Sequence, residues 1–156
     1  MSIEKVRGYF TELGIEHKIM EFSVSSATVE LAAAALGCEG ARIAKTLSFK
    51  VAEAPILIVA AGDARIDNAK YKARFCTKAK MLTPDEASEL VGHAVGGVCP
   101  FAVNEGVTVY LDESLKRFDT VFPACGSSNS AIELTIPELE QYSGFAEWVD
   151  VTKLPE

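Results

Sequence analysis

The run Ile56-Leu57-Ile58-Val59-Ala60-Ala61 carries no polar side chain, and it constrains the fold more than any other stretch. A short, unbroken apolar run of this kind suits a central strand covered on both faces. Just upstream, Lys45-Thr46-Leu47-Ser48-Phe49-Lys50-Val51 alternates, which places Leu47, Phe49 and Val51 on a buried face. The spacer Glu53-Ala54-Pro55 joins the two as a hairpin. The remaining chain has to cover it.

Helical signals supply that cover. Ile3, Val6, Tyr9, Phe10 and Leu13 recur at helical spacing, and Gly14 ends the pattern. An alanine-rich helix capped by Ser26 or Thr28 stops at Gly37, and a short helix is expected over 39–44. Asp67 caps a helix to about Phe75. Thr83-Pro84-Asp85-Glu86 reads as a capping box with proline at the first helical position, and that helix ends at Gly92. One more helix covers Pro137 to Tyr142.

Further strands are expected over Glu16–Phe22 and Val107–Leu111, and over Trp148–Val151 at the end. Thr120–Ala124 and Ser130–Thr135 form a second hairpin across Gly126-Ser127-Ser128-Asn129. The expected architecture is a mixed α/β domain spanning 1–156, built on a curved, largely antiparallel sheet flanked by helices. No GxGxxG follows the first strand, which excludes a Rossmann arrangement.

Charge and cysteine usage narrow the function classes. A net charge of −7 argues against indiscriminate binding to DNA. Yet Lys70, Lys72, Arg74, Lys78 and Lys80, with Arg65, gather in one stretch. Such a face either contacts a few phosphates or is simply solvated. Cys38, Cys76, Cys99 and Cys125 are scattered, with no CxxC pair and no histidine beside a cysteine cluster. No metal site or disulfide framework is expected, and a cytoplasmic setting with reduced thiols is. The apolar runs are too short to span a bilayer, and no apolar signal core opens the chain.

The stretch Gly96-Gly97-Val98-Cys99-Pro100-Phe101 combines two glycines with a proline between a helix and a strand. Pro100 holds Cys99 extended, and the N–H groups of Gly97, Val98 and Cys99 are placed to hold an anion or an oxyanion. An ordinary connecting turn is the alternative. Lys45 falls in register with the buried residues of its strand, either snorkelling at the sheet's end or aiming its ammonium into a cleft.

Together, Lys45-Thr46-Leu47, Gly96 to Phe101, Val109-Tyr110-Leu111-Asp112, Gly126 to Asn129 and Ile132-Glu133-Leu134 occur in a distinctive order. In that order and spacing the chain resembles the YbaK/ProX family of aminoacyl-tRNA deacylases. These are free-standing relatives of the editing domain inserted in bacterial prolyl-tRNA synthetase. The resemblance covers nearly the whole chain. It implies a barrel-like editing fold and a metal-independent hydrolysis of the ester between a wrong amino acid and the terminal adenosine of a tRNA. No cofactor is implied. The family's critical lysine matches Lys45, its glycine-to-proline loop matches Gly96 to Pro100, and its late pocket glycine matches Gly126. Ala102 departs from the pattern, since many relatives carry a glycine there.

An aminoacyl ester is already activated, so positioning the carbonyl and stabilising the oxyanion suffice for hydrolysis. On this reading Lys45 and the amides of Gly97, Val98 and Cys99 are catalytic. Thr46, Gly96, Pro100, Phe101, Gly126, Ser127, Asn129 and Ser130 bind substrate, and Lys70, Lys72, Arg74, Lys78 and Lys80 contact the acceptor stem. Val29, Leu31, Phe49, Phe101 and Ser130 are expected to shape the pocket. The resemblance makes cysteine or alanine on the tRNA for proline the leading substrates, ahead of serine or threonine on other tRNAs. The partners it implies are the mischarged acceptor end and prolyl-tRNA synthetase; no sequence feature argues for a stable oligomer, and a monomer is expected. Two other classes remain open at this point: a non-catalytic tRNA- or synthetase-binding module, and a thiol hydrolase using Cys99.

Overall fold

The computed structural model describes residues 2–94 and 96–155. Helix α1 (Ser2–Glu12) leads through a single 3-10 turn at Glu16–Lys18 into the two-residue strand β1 (Met20–Glu21). The strand expected over Glu16–Phe22 is therefore mostly not a strand. Only Met20 and Glu21 find a partner, in β7 (Ser130–Ala131). Helix α2 (Val29–Leu36) is capped by Thr28, whose hydroxyl accepts from Leu31 N–H, and it closes at left-handed Gly37. What was expected as a short helix before the hairpin is one 3-10 turn, Gly40–Arg42.

The hairpin follows as β2 (Ile43–Val51) and β3 (Ala54–Ala61), antiparallel in register from Ala44↔Ala61 to Val51↔Ala54. The turn is tighter than the sequence suggests: Ala52 and Glu53 alone reverse the chain, both at positive φ. Strand β4 (Arg65–Ile66) leads into α3 (Asn68–Phe75), capped by Asp67 as expected. A short α4 (Pro84–Glu86) starts on the full Thr83/Glu86 capping box and widens into a π-turn over Ala87–Val91 that ends at Gly92. Asn104 stabilises that wide turn, donating from Nδ2 to Glu89 O and Leu90 O.

Strand β5 (Thr108–Asp112), a 3-10 turn at Glu113–Arg117 and β6 (Thr120–Pro123) come next. The expected return strand is broken in two, β7 pairing with β1 and β8 (Leu134–Thr135) pairing with β6. Helix α5 (Ile136–Ser143), β9 (Glu147–Val149) and β10 (Thr152–Lys153) complete the chain.

The main sheet has six strands in the order β8-β6-β2-β3-β5-β9 and curls into a half-barrel. Pairing is antiparallel in the two hairpins and in the small β1/β7 and β4/β10 pairs. It is parallel where β2 meets β6, β3 meets β5 and β5 meets β9. Both faces of β3 are covered, which explains its unbroken apolar run. Ala44, Leu57, Val59 and Ala61 join the larger core with Val6 and Phe10 of α1 and Leu139 of α5. Phe49, Ile56 and Ile58 turn the other way and pack with Tyr71 of α3. Among the described residues, no helix is long and apolar enough to cross a membrane.

Candidate active site

The sheet leaves an opening beside β2. β6 pairs with β2 only at Ile43 and Ala44, and the far end of β2 is taken by residues 80–82 through a bridge between Phe49 and Met81. Between them lies a cavity of about 340 Å³. Its walls are the 26–29 segment entering α2, residues 43–48 of β2, Met81 and Leu82, Gly96 and Val98, Phe122 of β6 with Ala124 just beyond it, and the Ser130–Ala131 strand.

Lys45, Thr46, Gly96, Val98 and Ser130 of the expected site line this cavity. Lys45 Nζ donates to Gly62 O at 3.3 Å and also to Ala64 O. Burial lowers its pKa below the ordinary 10.5, with nearby Asp63 opposing that shift. An ammonium carries three donors, so these two carbonyls leave one for a ligand. Gly62 itself packs against Gly40, where a β-carbon would stand 2.1 Å from the Gly40 carbonyl oxygen.

The glycine loop is positioned by a second loop. Gly97 lies against Gly126 and Ser127, and Gly126 takes φ +92°, open to glycine alone at low cost. Ser127 Oγ lies 2.6 Å from Ser130 Oγ. Asn129 Nδ2 donates to Phe22 O at 3.0 Å, and Ser26 N–H donates to Ser128 O at 2.6 Å. These bonds fasten the 126–130 turn to the 22–28 segment and so build two walls at once. Ser127 and Asn129 act in this frame, while Ser130 reaches the cavity.

Several expectations need correction. The N–H of Gly97 donates to Ala94 O at 3.0 Å, so it is spent in the turn. For the N–H groups of Val98 and Cys99, no hydrogen-bond partner is found among the described residues. Pro100 and Phe101 are buried, and Phe101 meets the Phe10 ring edge-on at 4.8 Å. The second half of the loop dives into the core under α1 and does not face the cavity. Of the residues expected to shape the pocket, Val29 and Ser130 do so. Phe49 and Phe101 fill the cores, and Leu31 is exposed on α2.

Cys99 is fully buried, with Sγ 3.6 Å from His93 Nε2 and 3.8 Å from Phe101 O. Burial pushes its thiol up to about 12. The same burial lowers His93 below the ordinary 6.5, and His93 Nε2 sits 2.7 Å from Phe101 O. A thiol kept protonated and shut from the cavity is no nucleophile, which removes the Cys99 hydrolase reading.

The basic stretch divides. Lys70 pairs with Asp150 at 3.0 Å, and Arg74 pairs with Glu147 while stacking 5.0 Å above the Phe75 ring. Lys72 and Lys78 border a second hollow with Asn68, Ala69 and Ala79. Lys80 immediately precedes Met81 at the rim of the main cavity. Sequence reasoning missed the walls at Ser48, Met81, Leu82 and Ala124, because they meet only through long-range pairing.

Residues 24–142 match the model of the aminoacyl-tRNA editing domain family. The chain belongs to that family. Its resemblance to YbaK-like editing domains thus extends across most of its length. The editing domain is 55% identical over 154 residues to the uncharacterized protein YwhH of Bacillus subtilis (strain 168), covering 98% of each chain. It is 26% identical over 130 residues to a proline–tRNA ligase of Geobacillus sp. (strain WCH70), matching 83% of this chain and 23% of that enzyme. A solved structure described as a candidate trans-editing enzyme for prolyl-tRNA synthetase superposes with a TM-score of 0.86 at 31% identity, covering 97% of each chain. Aminoacyl-tRNA editing is the general function of this domain family.

Proposed function

We propose that this editing domain is a free-standing deacylase that hydrolyses the ester of a mischarged tRNA, with cysteine or alanine on the tRNA for proline as the leading substrates. The observation that carries the reading is the convergence of Lys45, Thr46, Gly96, Val98 and Ser130 on one cavity of about 340 Å³. That volume suits a small aminoacyl group with part of its ribose, and the relatives related to prolyl-tRNA synthesis point to the tRNA.

The aminoacyl group enters between β2 and the glycine loop, with its carbonyl oxygen toward the Val98 amide, the one of the two unpartnered loop amides whose residue lines the cavity. That fixed dipole stabilises the oxyanion as water adds to the carbonyl carbon. The bond to the ribose oxygen then breaks, and that oxygen leaves with the proton released by the water. Lys45, with its remaining donor, binds the terminal phosphate or a substrate oxygen. Lys72, Lys78 and Lys80 contact the acceptor stem, in preference to the ion-paired Lys70 and Arg74. No step in this scheme uses a metal ion.

The test is deacylation of a panel of mischarged tRNAs beside Lys45→Ala, with and without EDTA. Loss of one or two esters, abolished by the substitution and indifferent to EDTA, establishes the reading and names the substrate. Survival of every ester at high enzyme, with tRNA or synthetase still bound, replaces it with a binding module.

A further inference from the structure

The hydrogen-bond ladder along β2 has a gap at Thr46. On the side away from β3, β6 pairs with Ile43 and Ala44. Beyond the gap, Lys50 N–H donates to Lys80 O at 2.9 Å and Leu82 N–H donates to Ser48 O at 3.1 Å. Main-chain groups alternate sides along a strand, so the N–H and C=O of Thr46 point the same way as those of Ser48 and Lys50. No strand pairs with Thr46 on that side among the described residues, and the cavity lies there instead.

The side chain supplies a second observation. Thr46 Oγ1 is buried without a hydrogen-bond partner, in a residue that lines the cavity. A buried hydroxyl left unsatisfied is unfavourable unless a ligand completes it. Among the described residues, the cavity lining contains no aspartate or glutamate. An amino group entering it meets no carboxylate, and the Ser130 hydroxyl is already shared with Ser127. Ser26, Thr28 and Ser48 also bring hydroxyls to the lining, but Thr46 offers two acceptors together, a carbonyl in the gap of the ladder and a hydroxyl with no partner.

We infer that Thr46 forms the subsite for the α-amino group of the aminoacyl ester, an inference that rests on the deacylase reading. Thr46 C=O and Oγ1 accept the amine's N–H bonds, and Thr46 N–H is left to donate to an oxygen of the substrate. The arrangement selects esters with a free α-amine. An N-acylated ester loses donors and adds bulk where β2 is closely walled.

The experiment compares three esters of the tRNA for proline on the wild-type protein: alanyl, N-acetylalanyl, and the 2-hydroxyacyl ester made by deamination. Thr46→Val and Thr46→Ser are run beside it, with thermal melts to confirm folding. Alanyl-tRNA is expected to be consumed and the N-acetyl ester to react at least ~100-fold more slowly. Thr46→Val is expected to lose roughly 10-fold in kcat/KM on the alanyl ester and much less on the hydroxyacyl ester, while Thr46→Ser retains activity. If Thr46→Val does not fold, the wild-type ester comparison decides by itself. Turnover of the N-acetyl ester at the alanyl rate overturns the subsite and leaves the deacylase reading standing. Failure to hydrolyse any ester overturns both.

Discussion

Gly97 lies so close to Gly126 that a β-carbon on Gly97 would stand 2.7 Å from the Gly126 carbonyl carbon and 2.7 Å from Ser127 N. The atoms it would meet belong to a backbone fastened to the 22–28 segment, so they cannot swing aside as a side-chain tip would. Gly97→Ala must push the two loops apart. A cost of about 1–3 kcal/mol in stability is expected for such overpacking, read as a lower midpoint in urea. The displacement also moves Val98 away from Ser130 across the cavity. Deacylation is therefore expected to fall by ~100-fold or more, since misplacement by about an ångström suffices for that. Gly96→Ala is the informative contrast: its β-carbon would meet Ala27 and Ser128 at ordinary distances, so any loss there comes from its φ of +95°.

Cysteine reactivity should follow burial. Cys76 is exposed, whereas Cys99 and Cys125 are buried and desolvation raises both thiols above the ordinary 9.0. Iodoacetamide at pH 8 is expected to label Cys76 first and to reach Cys99 and Cys125 only on unfolding, as peptide mapping by mass spectrometry would show. Cys99→Ala should keep deacylation within about 10-fold of wild type, because its side chain faces the core. Rapid labelling of Cys99 in the native protein would contradict its placement.

What the sequence revealed was mostly local. The caps at Asp67 and Thr83 are each set within a few residues and the structure has both, while of the two caps offered for the alanine-rich helix, Ser26 and Thr28, it uses Thr28. The hairpin core at Ile56 to Ala61 was legible because a strand buried on both faces leaves an unbroken apolar run. The cavity walls were not, since Met81 reaches β2 only through a bridge to Phe49 and Ser26 is held by Ser128, far along the chain. Phe101 looked like a pocket residue because Pro100 marks a bend. Nothing local says that the bend turns into the core. Ala102 shows the opposite case: it adopts φ +52°, a conformation that suits the glycine many relatives carry at that place.

Acid should release one surface contact in a predictable way. Glu86 accepts from Lys50 Nζ and from Thr83 N–H at 2.9 Å, and these bonds hold its carboxyl down at about 2 against an ordinary 4.5. A carboxylate with a depressed folded pKa contributes stability that is fully present above 4.5 and is lost as pH falls toward 2. Lys50 is shifted upward by the same pair, so it stays charged throughout this range. Glu86→Gln is expected to flatten the fall in thermal midpoint between those two pH values while changing little at pH 7 beyond the loss of the pair itself. An unchanged slope in calorimetry would mean that the Lys50–Glu86 pair does not persist in solution.

The hairpin turn offers a stabilising change away from the cavity. Ala52 at φ +50° and Glu53 at φ +66° both occupy the left-handed region, where a side chain costs roughly 1 kcal/mol relative to glycine or asparagine. Two residues with positive φ joining antiparallel strands describe a type I′ turn, for which Asn-Gly is the favoured pair. The double substitution Ala52→Asn and Glu53→Gly keeps the register Val51↔Ala54 and removes that strain. A gain of about 1 kcal/mol is expected, seen as a midpoint increase of roughly 2–4 °C for a chain of this size. Because both residues are exposed and the turn lies at the far end of β2 from Lys45, deacylation should be unaffected. A loss of stability would show that Glu53 makes a contact worth more than the strain it carries.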